Sequence, residues 1–156
     1  MSNTDVALSS MLTHHARNAP SRAAVIVENV PVTYNELDAR SNQRARMLMT
    51  HGVEYGDFVT VALPNGLEFY ETVFAIWKLG AIPNIVSAKL ARPEMEAILE
   101  IVRPKLFVGT PPGDDIPAIR EGEGAAQSYS VEGLSEIVSP HWKAMTSGGS
   151  TGRPKV

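Results

Sequence analysis

Three short apolar runs, Phe58 to Leu63, Ile82 to Ala88 and Leu106 to Val108, are separated by stretches whose apolar residues recur every three or four positions. The runs have strand length and the stretches between them have helix length. A strand followed by a helix and then another strand is the pattern of parallel crossover units, whose sheet must be covered on both faces. The predicted fold class is therefore α/β, a mainly parallel sheet flanked by helices.

Local signals sharpen this outline. Leu8, Met11, Leu12 and His15 fall on one stripe of a first helix that ends before Pro20. Ala23 to Val27, the turn Glu28-Asn29-Val30-Pro31 and Val32 read as a hairpin. Thr33 and Glu36 form a capping box for the next helix, with Val32 and Leu37 in the staple positions. Leu37, Ser41, Ala45 and Leu48 line one narrow face of that helix; Arg40, Arg44 and Arg46 are assigned to a solvated face, and Gly52 stops it. Pro64-Asn65-Gly66 turns out of the first long run, and Asn65 with Glu68 repeats the capping pattern. The following helix is apolar nearly all round, so Phe69, Tyr70, Phe74 and Trp77 are read as core rather than as a cofactor box. Pro83 is expected to break the second run. Pro93 starts a helix with the stripe Met95, Ile98, Leu99 and Val102, which Pro104 forbids to continue.

Thr110 to Pro140 is turn-rich and acidic, with few large apolar residues, and reads as a solvated connection. Asp114 and Asp115 lack the apolar surroundings that would raise a carboxyl pKa for acid–base work. His14 and His15 are adjacent, point to different sides of a helix, and read as surface residues rather than metal ligands. The division expected is an α/β subdomain over 1–109, a connection over 110–140 and a binding segment over 141–156.

Composition excludes several classes. A net charge of −3 gives no basic field for nucleic acid or anionic membranes. Zero cysteines removes disulfides, thiolate metal sites and cysteine nucleophiles. No run approaches the ~18 apolar residues of a membrane span, and the first residues lack signal-peptide character. Cytoplasmic location is the expectation.

One segment is committed to a particular chemistry: Thr146-Ser147-Gly148-Gly149-Ser150-Thr151-Gly152-Arg153-Pro154-Lys155. Its glycines let several backbone N–H groups converge on one point. The hydroxyls of Thr146, Ser147, Ser150 and Thr151 can donate to oxygen without adding charge, and Lys155 supplies one mobile positive charge. Such a set suits a polyphosphate. A flexible Gly/Ser linker is the plainer alternative, but the apolar lead-in Trp142, Ala144 and Met145 and the stiff Arg153-Pro154-Lys155 exit argue against it. The phosphate loop of the NTPases fails, because Pro154 stands where its lysine should follow glycine and Val156 where its hydroxyl should follow lysine.

Ser147 to Lys155 instead resembles the phosphate-loop signature of the adenylate-forming superfamily, which comprises acyl-CoA synthetases, peptide-synthetase adenylation domains and luciferases. Gly149 stands where many members carry Thr, and Val156 where many carry Gly. Thr33-Tyr34-Asn35-Glu36-Leu37, Gly52-Val53-Glu54-Tyr55-Gly56-Asp57-Phe58-Val59, Leu63-Pro64-Asn65-Gly66-Leu67-Glu68-Phe69 and Lys78-Leu79-Gly80-Ala81 are similar to further segments of the family, in the same order. The likeness to an acyl-CoA synthetase N-terminal part runs over nearly the whole chain, and Trp142-Lys143-Ala144-Met145 resembles acid–CoA ligases.

The resemblance implies that a carboxylate attacks the α-phosphate of ATP, with Mg²⁺ assisting, and that a thiol, usually CoA, then takes the acyl group. It assigns the hydroxyls of Ser147, Ser150 and Thr151, the amides from Gly148 through Gly149 to Gly152, and Lys155 to phosphate oxygens, and counts Thr146 with the binding residues. No catalytic residue and no metal ligand is assigned within these residues; in the family those groups lie further along the chain. The chain is thus expected to be an N-terminal fragment, inactive alone, with an open sheet edge that favours self-association. Two other readings follow: an amino-acid adenylation domain serving a carrier-protein thiol, and a non-catalytic binding module of the same fold.

Overall fold

The computed structural model describes residues 6–124 and 126–146. Its elements run α1 (Leu8–Asn18), β1 (Ala23–Val27), β2 (Val30–Thr33), α2 (Tyr34–Thr50), β3 (Phe58–Ala62), α3 (Leu67–Lys78), β4 (Ile82–Ile85), α4 (Arg92–Val102), β5 (Leu106–Gly109) and β6 (Ala118–Ile119), then a single 3-10 turn, Ala126–Ser128.

β3, β4, β5 and β6 form a four-stranded parallel sheet in the order β4-β3-β5-β6. Period-two alternation along its strands divides the core in two. Val59, Val61, Leu106 and Val108 point toward α2 and α3, where Ala45, Leu48, Ala75 and Ile76 meet them. Phe107 and Ala62 point the other way, onto Met95, Ile98, Leu99 and Val102 of α4. Phe107 is fully buried, a contribution of roughly 2–3 kcal/mol from its apolar surface. The α/β class, with helices on both faces, is as the sequence predicts.

The hairpin forms with a turn tighter than expected. Glu28 and Asn29 both adopt positive φ, at 51° and 66°, which makes a two-residue turn and leaves Val30 and Pro31 inside β2. The capping box is present in both directions: Thr33 Oγ1 accepts from the Glu36 amide at 3.2 Å, and Glu36 Oε2 accepts from the Thr33 amide at 2.8 Å.

Five expectations need correction. In α1 the buried residues are Ser9, Leu12 and Ala16, while Met11 is exposed; the small side chains at 9 and 16 let the helix sit closely on its neighbours. Arg44 is buried rather than solvated, because Glu68 and Glu71 of α3 meet it across the helix interface. The N-cap of α3 is Gly66, not Asn65, and no side chain caps it; Glu68 is occupied by Arg44 and the Gly122 amide. Pro83 lies inside β4 instead of breaking it, and the strand ends at Ile85, short of Ala88. The acidic connection is not merely solvated: it contributes β6 beside β5, and Asn42, Gln43 and Arg46 of α2 donate to its backbone carbonyls from Gln127 to Glu132.

Candidate functional site

Of the residues expected to hold phosphate, Thr146 is described and half-buried. Ser147, Gly148, Gly149, Ser150, Thr151, Gly152 and Lys155 lie outside the described residues. What the structure does define is the root from which that segment leaves the sheet.

Ala144 pairs with Asn84 in a parallel bridge on the free side of β4. Its amide donates to the Pro83 carbonyl at 3.0 Å. The lead-in thus runs parallel to β4, and Thr146 emerges beside the residues that follow Ile85, at the carboxyl edge of the sheet. In open α/β sheets that edge is where ligands bind.

Pro83 explains the unusual bonding of this root. A parallel ladder in the Asn84–Ala144 register would place a Pro83 N–H opposite the Trp142 carbonyl, and proline has none. The Trp77 indole Nε1–H takes that carbonyl at 2.7 Å. The Ser139 hydroxyl takes the Ala81 carbonyl at 2.9 Å, the neighbouring ladder position. Asn84 completes the set: its Nδ2 donates to the Ala144 carbonyl at 3.3 Å, and its Oδ1 accepts from Thr60 Oγ1 of β3 at 3.1 Å. Both Thr60 and Asn84 are fully buried. Sequence reasoning treated Trp77 as core and passed over Thr60 and Asn84; the available signal was an asparagine beside a proline in a buried apolar run.

The carboxyl edge tolerates little extra bulk. Gly109, at the end of β5, has φ 126°, and a Cβ there would stand 2.5 Å from the Ala62 carbonyl oxygen. Glycine is therefore required by backbone geometry and by space.

Two ionic clusters lie away from this edge and serve the helices. Lys78 of α3 donates to Asp38 of α2 at 2.7 Å and to Thr13 of α1 at 3.3 Å, tying three helices together. Glu71 is paired with Arg40 at 3.3 Å and with Arg44 at 3.7 Å. Burial raises the Glu71 carboxyl above its ordinary pKa, and Arg44 and Arg40 offset part of that rise. His14, His15, Asp114 and Asp115 are exposed, and among the described residues no cluster of three or more His, Asp or Glu side chains could hold a metal ion. Among the described residues no helix is long and apolar enough to cross a membrane.

The family profile described as AMP-binding enzyme matches residues 12–156. The chain belongs to that family. A relative, the dimodular nonribosomal peptide synthase of Bacillus subtilis, is 28% identical over 164 residues, which covers 96% of this chain and 7% of the synthase. The same fold recurs in the N-terminal subdomain of Klebsiella oxytoca NpsA, solved with 3-hydroxybenzoyl-AMSN, at a TM-score of 0.81 and 20% identity over 96% of this chain and 40% of that one. It recurs also in the Bacillus subtilis O-succinylbenzoate coenzyme A synthetase MenE with AMP, at a TM-score of 0.74 and 26% identity, covering 92% of this chain and 40% of that one. The chain spans 3% to 32% of the length of the first three curated relatives it matches.

Proposed function

We propose that these residues are the N-terminal part of an enzyme that activates a carboxylic acid with ATP. In the first step a carboxylate oxygen attacks the α-phosphorus, the bond from that phosphorus to the bridging oxygen breaks, and pyrophosphate leaves. In the second a thiol attacks the acyl carbonyl, AMP leaves, and the thiol proton is lost. Ser147, Ser150 and Thr151, the amides from Gly148 to Gly152, and Lys155 receive the phosphate oxygens, with Thr146 at the mouth. Charge grows on the departing pyrophosphate, so donors already aimed at it lower the barrier.

The observation that carries this reading is the emergence of Thr146 at the carboxyl edge of a parallel sheet, immediately before the hydroxyl- and glycine-rich segment. The family match over residues 12–156 supports it. The acceptor is a thiol of one of two kinds. Likeness to a nonribosomal peptide synthase favours a carrier-protein thiol at least as well as the Trp142-Lys143-Ala144-Met145 lead-in favours CoA. The MenE likeness keeps CoA as the second reading.

The test is carboxylate-dependent ATP–pyrophosphate exchange by the full-length native polypeptide, run with panels of amino, aromatic and aliphatic acids. The expected result is exchange that depends on one class of acid. Absence of exchange with every class, while the protein remains folded, contradicts the proposal and favours the non-catalytic binding module.

A further inference from the structure

We infer that Asn84 is a positioning residue for the phosphate-binding segment, acting through the Ala144 carbonyl; this rests on the reading given under Proposed function. Asparagine is disfavoured in strands, yet Asn84 sits fully buried in a four-residue strand whose other members are apolar. A leucine there, with an apolar residue at position 60, would add hydrophobic burial but would leave the Ala144 carbonyl without its Nδ2 donor. What the polar pair provides is a tie from β3 through β4 to the bridged lead-in. Thr60 Oγ1 donates to Asn84 Oδ1, and Asn84 Nδ2 donates to the Ala144 carbonyl.

The tie matters because Pro83 weakens the ordinary one. With no Pro83 N–H, the lead-in is held by the Ala144 amide on the Pro83 carbonyl and by three side-chain donors: Asn84 of β4, Trp77 of α3, and its own Ser139 on the Ala81 carbonyl. Of these, Asn84 is the one nearest in sequence contact to the phosphate segment. Its acceptor, Ala144, is separated from Ser147 only by Met145 and Thr146. Thr60 fixes the amide rotamer, since its hydroxyl holds Oδ1 and so turns Nδ2 toward Ala144. Asn84 touches no substrate atom in this account. It sets where the donors of the following residues begin, and a shift of about 1 Å in reacting geometry can cost roughly 100-fold in rate.

The deciding experiment compares the full-length native polypeptide with the double variant Thr60→Val, Asn84→Leu. That variant replaces the Thr60–Asn84 pair by apolar groups of similar size and strands the Ala144 carbonyl, so the melting temperature should fall by several degrees at most, the added apolar burial offsetting part of the loss. KM for ATP in pyrophosphate exchange should rise about 10-fold or more, with the calorimetric ATP dissociation constant rising in parallel. KM for the carboxylic acid should stay within about twofold. A merely structural role would leave both Michaelis constants in proportion, whatever the fall in melting temperature. A folded double variant whose KM for ATP and kcat lie within twofold of wild type overturns the inference. If the double variant does not fold, Thr60→Val alone decides: it should raise KM for ATP about threefold, and no change overturns the inference. A wild-type protein that exchanges with no acid overturns the functional reading first, and this inference with it.

Discussion

Trp77 Nε1 donates to the Trp142 carbonyl at 2.7 Å, and it does so where Pro83 lacks the N–H that a parallel ladder would supply. A helix side chain thus completes a sheet edge. The same residue packs its ring edge-on against Phe74 at 5.4 Å, so its orientation is fixed from both sides.

Replacing Trp77 by Phe should therefore loosen the lead-in without dismantling the fold. The Trp142 residue is 57% exposed, so water can satisfy its freed carbonyl, and the cost should be about 1 kcal/mol in urea unfolding. Residues 1–156 hold two tryptophans, so in that variant Trp142 is the indole reporter of this segment. Its emission should shift to the red as the segment gains freedom. An unchanged spectrum and midpoint would mean that the indole bond contributes nothing.

Arg44 is a second place where one change should matter. Its side chain is 6% exposed and meets Glu68 Oε1 at 3.0 Å and Glu71 Oε2 at 3.7 Å. Arg44→Leu leaves Glu71 buried with only the half-exposed Arg40 beside it. Breaking a buried pair from one side typically costs about 3–5 kcal/mol. Chemical denaturation should show a loss near the lower end, since Arg40 remains. A loss below about 1 kcal/mol would mean that Arg44 acts as an ordinary surface arginine.

The two shifted carboxyls give stability opposite dependences on pH. Glu71 has a folded pKa raised above its ordinary 4.5, first by burial. Its contribution is full below 4.5 and is lost as pH rises through the raised value. Glu36 has a folded pKa lowered below 4.5, first by the bond from the Thr33 amide and then by the Thr33 hydroxyl. Its contribution is present above 4.5 and is lost as pH falls through the lowered value. Melting temperature across this range should separate them. Glu36→Gln should flatten the acid limb below 4.5, and Glu71→Gln should flatten the slope just above it. Curves parallel to wild type in both variants would contradict the assignment.

Much of the frame was legible because its signals are local. The Thr33–Glu36 box, the Met95–Val102 stripe and the spacing of β3, β4 and β5 each depend on residues close in sequence. The buried Arg44 was not legible, since its burial depends on carboxylates one helix away. β6 escaped because two residues, Ala118 and Ile119, carry no periodicity of their own; β5 defines them. Pro83 misled for a physical reason: a proline is tolerated where its missing N–H faces a strand held by side chains. The chemistry of the phosphate segment was readable as composition. The tie that roots it, Thr60 to Asn84 to Ala144, required the sheet order to be known.

The central claim is that a carboxylate attacks the α-phosphate of ATP, and isotope transfer tests it most directly. The full-length native polypeptide is supplied with its acid labelled with oxygen-18 in the carboxylate, together with ATP and the thiol acceptor, and the products are weighed by mass spectrometry. The account predicts AMP carrying one labelled oxygen, with unlabelled pyrophosphate. Label appearing in inorganic phosphate alongside ADP, with none in AMP, would contradict it.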